Sequence, residues 1–221
     1  MALDGRVPVA VVGFDADDMQ ALAVLAESYC QDARRTGWPI KFDWLLRGNL
    51  GEWAVIRYLW AQGLAGAGPL PYLGPTSYRP ASRPGGAREP VDIVIWRRED
   101  GKEVGLGIRT VIHEDLRRFG NVHYPARRSP DSPRWPDLLL ACSIRIEDHL
   151  WLWHCGPCVE GMLVATARVA IWGALTKGEY QALYPKLPVK RGTPAFKPIP
   201  LAAFRPDTLR QVVEGAQRAR G

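Results

Sequence analysis

Between Gly48 and Val111 three runs constrain the fold: GNLGEW (Gly48–Trp53), PVDIVIW (Pro90–Trp96) and GKEVGLGIRTV (Gly101–Val111). A helix from about Leu50 to Gln62 puts Glu52, Ile56, Leu59 and Trp60 on one face, since residues one and two turns apart line up along a helix. Gly63 and the run AGAGPLP end it. Asp92–Trp96 and Glu103–Ile112 read as strands, and RREDGK between them, with Asp100-Gly101, is a hairpin signal.

Around this segment the order of elements alternates. Val7–Val12 reads as a strand, and Asp15 or Asp17 can cap a helix that carries Met19, Leu22, Leu25 and Ala26. Residues 64–90, rich in proline and glycine, read as a long loop, and Asn121–Pro136 as a basic one. His113–Phe119 reads as a helical turn. Leu138–Ile146, His149–Trp153 and Val164–Trp172 read as strands, and Thr176 with Glu179 fits a capping box opening a helix over Lys177–Leu183. Pro185–Pro206 reads as an extended basic segment and Thr208–Arg220 as a last helix. The sum is an α/β chain with a mixed central sheet flanked by helices. One domain over 1–221 is expected, with a core at about 45–184, a strand–helix unit at 1–40 and a basic C-terminal segment at 185–221.

Charge narrows the partner. The net charge of +6 is uneven. Residues 1–46 hold four basic and seven acidic side chains, whereas from Lys186 onward eight basic face two acidic ones. Arg117-Arg118 and Arg127-Arg128 add basic pairs in the middle. Such a face suits a phosphate backbone, and a solvated surface explains it equally well. No apolar run is long enough to span a bilayer and no cleavage site follows the N-terminal apolar patch, so a cytoplasmic protein without membrane contact is expected. Assembly into identical copies stays open.

The chemistry rests on two acids. Glu52 lies on the helical stripe that should be apolar, where a charge is costly unless paired or bound to a metal; near a helix N-terminus it also has a purely structural use. Asp92 opens an apolar strand beside a basic loop. G-x-x-G-E on a helix, an aspartate opening a strand, a hairpin, and a strand that should end acid-x-Lys-Thr resemble the PD-(D/E)XK nuclease superfamily, over roughly residues 45–112. The resemblance implies a restriction-endonuclease-like core and an endo- or exodeoxyribonuclease acting on DNA. It implies Mg²⁺ or Mn²⁺ held by Glu52, Asp92, the position of Gly107 and the carbonyl of Ile108, with Arg109 at the catalytic cation.

The chain departs from that pattern at Gly107-Ile108-Arg109. Gly107 offers no ligand, and Arg109 is charged at any working pH, so it can stabilise a phosphate but not serve as a base. Glu103 shares the strand face but stands about 13 Å away. Glu114 and Asp115 are replacements if the chain turns back. The alternative to a nuclease is therefore a catalytically inactive nucleic-acid-binding module of the same fold.

Other residues suggest narrower roles. Arg117, Arg118, Arg127 and Arg128 are candidate phosphate contacts, and Trp135, in the basic loop, is a candidate for base stacking. His113 and His123 flank that loop and could touch phosphate or carry protons. Cys155 and Cys158 form half of a tetrahedral site that Cys142, His149, His154 or His123 could finish, so zinc in a stabilised interaction protein is a further reading. The CGPC run matches a thioredoxin redox motif but lacks that fold's long helix after it. Four cysteines in this length are no secreted disulfide framework.

Overall fold

The computed structural model describes residues 1–3, 5–35, 42–64, 92–96, 103–125, 135–147, 166–190 and 196–218. Its centre is a five-stranded sheet in the order β1-β6-β5-β3-β2, built from β1 (Ala10–Phe14), β2 (Ile93–Trp96), β3 (Glu103–Ile112), β5 (Leu138–Glu147) and β6 (Thr166–Thr176). Only β3 and β5 run parallel; the other neighbours are antiparallel. The α/β expectation with a mixed, helix-flanked sheet holds. Parallel strands need a crossover, and between β3 and β5 lie a short helix α3 (His113–Phe119) and a strand β4 (Asn121–Pro125).

Helices α1 (Ala16–Arg35) and α2 (Phe42–Ala61), with the C-terminal α5 (Pro206–Arg218), cover one face of the sheet. On α1, Met19, Leu22, Ala23, Ala26 and Cys30 form the buried stripe. Asp15 accepts from the backbone N–H of Asp18 at 2.9 Å, which fixes where that helix starts. Arg57 of α2 donates to both oxygens of Asp18, tying the two helices together and holding the Asp18 carboxyl below its ordinary range.

The opposite face packs an aromatic core of Tyr124, Trp135, Tyr180 and Phe204. It includes α4 (Lys177–Leu183), whose Thr176–Glu179 capping box is fully formed. It also includes a two-stranded ribbon that the sequence reading missed, β4 paired with β7 (Phe196–Pro200). Asn121–Pro125 of the segment read as loop and Phe196–Pro200 of the one read as extended tail are thus strands. Lys197, counted with the basic tail, is buried. Its ammonium donates to the carbonyls of Tyr184 (2.8 Å) and Leu187 (3.0 Å) and sits 3.9 Å from the Tyr184 ring centre.

Two further expectations shift. Helix α2 starts at Phe42, eight residues before Leu50. Ile56 and Leu59 are buried as its stripe requires, whereas Trp60 is 46% exposed. Residues 65–90 of the loop read at 64–90, the turn at Asp100-Gly101 and the strand read at His149–Trp153 lie outside the described residues. No described helix is long and apolar enough to cross a membrane.

Candidate functional site

Strand β2 pairs only with Glu103–Leu106, so beyond Asp92 the outer half of β3 has no described strand on that side. A cavity of about 490 Å³ opens at this edge. Helix α2 forms one wall with Trp44, Leu45, Gly48, Asn49 and Glu52, positions that share a helical face. The wall stands close to the strand because Gly51 has no side chain: a Cβ there would lie 1.8 Å from Thr110 Oγ1 and 3.3 Å from Ile108 Cγ2. The floor is Ile108–Ile112, and Asp115, Phe119, Asn121 and His123 close the far side.

Glu52, Asp92, Ile108 and Arg109, assembled from the sequence by spacing, all line this cavity. Glu52 is 4% exposed. Asp92 Oδ2 accepts from the backbone N–H of Ile108 at 2.6 Å and lies 3.8 Å from Arg109 Nη1. The same Nη1 donates to the Ile108 carbonyl at 2.7 Å, and the guanidinium lies 4.6 Å from the ring centre of Tyr124. Asp115 does turn back into the cavity; Glu114 instead faces Arg145 at 3.9 Å.

Position 107 is different. A Cβ on Gly107 would point at Pro136, 2.7 Å from its Cγ, and at Leu139. That is the aromatic-core side of the sheet, so the expected ligand position does not face the cavity. A hard divalent ion wants several oxygens in near-octahedral array. Among the described residues no group of three or more His, Cys, Asp or Glu stands ready to hold a metal. The Ile108 carbonyl and the Asp92 carboxylate, both implied ligands, are turned to Arg109 instead. As arranged, these residues do not fit Mg²⁺ or Mn²⁺.

The remaining candidates scatter. Trp135 is 5% exposed, stacked on Tyr180 (4.5 Å between centroids, 13°) and tilted against Tyr124, so its faces are not open to a base. Cys142 is wholly buried in the helix-side core, which pushes its thiol up to about 12, opposite to what a zinc thiolate requires. Cys155, Cys158, Arg127 and Arg128 lie outside the described residues. Arg117 and Arg118 are exposed on the last turn of α3, and the Arg118 guanidinium lies 5.1 Å from the Phe119 ring centre. Asn49, Thr110, Trp44 and Phe119 were missed. Only the helical face shared by Trp44, Asn49 and Glu52 could have suggested any of them.

His113 is not in the cavity. It is buried, with Nδ1 3.1 Å from Ser143 Oγ, which also accepts from Trp172 Nε1 at 2.9 Å. Burial lowers its pKa from 6.5, with Arg145, Arg117 and the N-terminus acting in the same direction and Glu114 opposing. His123, stacked on Phe196 at 4.0 Å, is lowered by burial too, against Asp115. A depressed histidine favours the fold while neutral, so stability should be full above pH 6.5 and fall as pH drops through the lowered pKa values. Urea titrations at acid and neutral pH should show this loss, and His113→Gln with His123→Gln should flatten it. An unchanged slope in the double variant would place the titration elsewhere.

No family model, curated protein or solved structure matches the chain.

Proposed function

We propose that this protein binds DNA through a nuclease-like arrangement that no longer cleaves. The observation that carries the reading is Arg109. Its guanidinium occupies the company of Asp92 and the Ile108 carbonyl, where the PD-(D/E)XK resemblance calls for a metal ion. A guanidinium is a permanent, tethered cation, so it satisfies those oxygens without creating a Lewis acid. Affinity then comes from arginines on the surface, Arg117 and Arg118 among them, through phosphate contacts and counterion release.

A second reading, divalent-metal-dependent hydrolysis, has one observation in its favour: Glu52, Asp92 and Asp115 put three carboxylates on one cavity. Incubation with plasmid and linear DNA in Mg²⁺ or Mn²⁺ decides between them, beside fluorescence anisotropy across a salt series. Silent binding is expected: no nicking, and affinity falling at least about tenfold from ~50 to ~200 mM salt. Nicking by the wild type and not by Asp92→Asn would establish the hydrolase instead. Asparagine is the right control, because it keeps an acceptor for the Ile108 N–H. Alanine would leave that buried donor unsatisfied, at about 1–3 kcal/mol.

A further inference from the structure

We infer that the outer face of the ribbon formed by β4 and β7 is a stacking platform for unpaired bases of single-stranded DNA, with the phosphates held by Arg117 and Arg118. This rests on the DNA-binding reading and names the form of DNA and the surface that meets it.

The ribbon has two faces because side chains alternate along a strand. Val122, Tyr124, Lys197 and Ile199 point inward and are buried. Asn121, His123, Phe196, Pro198 and Pro200 therefore point outward, and each is half-buried or exposed. An outward strand face is ordinarily polar. This one carries no Asp, Glu, Lys or Arg, and two of its side chains are stacked rings. His123 and Phe196 meet at 4.0 Å between centroids and 27° between planes. The contact is diagonal, because His123 is registered with Pro198.

A third ring continues the surface. Phe119 ends α3 and is 53% exposed. Gly120, in the left-handed conformation at φ 64°, turns the chain from that helix directly into β4. Asn121 Nδ2 donates to the Phe119 carbonyl at 2.7 Å and so holds the helix end against the start of the ribbon. Exposed rings on a strand face stack bases with little regard to sequence. In a duplex the bases already stack on one another, so such a platform takes an unpaired strand.

Charge selects this occupant over an apolar partner. The exposed Arg145, Arg168, Arg205 and Arg210 each lie within 3.9 Å of a carboxylate. Among the described residues Arg117 and Arg118, in the last turn of α3, have no carboxylate partner. The Arg118 guanidinium instead rests 5.1 Å from the Phe119 ring centre. Two uncompensated cations beside an uncharged aromatic face match a chain of flat bases strung on phosphates. Asp115, which acts on His123, disfavours a phosphate at that ring and leaves it to a base.

The test uses the full chain, fluorescence anisotropy and three labelled ligands: a single strand, an abasic strand of equal length, and a duplex with the same number of phosphates. The base-bearing strand should bind about tenfold more tightly than either of the others, in line with the stacking contribution of one base. Phe119→Ala and His123→Ala should each weaken it about five- to tenfold and leave the abasic strand unchanged. His123→Phe, which keeps a ring, should preserve the affinity. Arg117→Gln with Arg118→Gln should weaken both strands alike and lower the salt slope by about 1.4, at roughly 0.7 per phosphate contact. Equal affinity with and without bases, equal losses on both strands in the ring variants, or preference for the duplex would overturn the platform while leaving DNA binding intact. No binding of any ligand at ~50 mM salt would remove the DNA-binding reading itself.

Discussion

Replacing Gly107 with glutamate, which restores the acid of an acid-x-cation motif, is expected to destabilise the protein by about 3 kcal/mol or more and to create no metal site. The Cβ alone would stand 2.7 Å from Pro136 Cγ, 3.2 Å from Pro136 Cβ and 3.4 Å from Leu139 Cδ1. A proline ring cannot rotate away. It is also anchored by its neighbour, since Asp137 Oδ2 accepts from the Gly105 N–H at 2.8 Å and the Asp137 carbonyl from the Lys177 N–H at 3.0 Å. The carboxylate would be driven into an apolar layer containing Leu139 and Trp135. Gly107→Ala isolates the steric part and should cost about 1–3 kcal/mol. Urea unfolding with and without Mg²⁺ reads both effects. A glutamate variant that folds and gains stability from Mg²⁺ would show that the missing ligand alone separates this site from a metal centre.

The contrast between Gly107 and its neighbours shows what sequence spacing can carry. Glu52, Asp92 and Arg109 were legible because a helix and a following strand pair are local devices, and their residues meet wherever the helix lies across the strands. Whether residue 107 faced the same cavity was not legible. That depends on Pro136, just before β5, lying against it, a contact made by residues far along the chain. Asp115 was reachable as a chain turning back after β3, but Phe119 and Asn121 needed the bend between α3 and β4. β4 and β7 stayed hidden because NVHYP and FKPIP contain proline, which removes a ladder donor and argues for loop; in a two-stranded ribbon every strand is an edge, and edges tolerate it. Trp135 misled in the other direction. Its basic, proline-flanked setting suggested an open ring, and only packing against Tyr124 and Tyr180 shows that its faces are covered.

Gly51→Ala should then separate local preference from tertiary contact most sharply. In an isolated helix alanine is better than glycine by about 1 kcal/mol, so a substitution inside α2 judged by propensity alone would stabilise the protein. The structure demands the opposite sign. A methyl at this position meets Thr110 Oγ1 at 1.8 Å and Thr110 Cβ at 3.1 Å, and no small shift of a β-branched side chain clears both. The expected result is a loss of about 1–3 kcal/mol on chemical denaturation, the usual range for overpacking. Thr110→Ala in the same chain should restore part of the loss by removing the nearer atom, giving a coupling of about 0.5 kcal/mol or more in the double-mutant cycle. A stabilised, additive Gly51→Ala would mean that α2 does not approach β3 this closely, and the cavity wall built on that approach would have to be redrawn. Loss with partial rescue ties the glycine of GNLGEW to the site: it is the residue that lets an acid-bearing helix lie against the strand carrying Arg109.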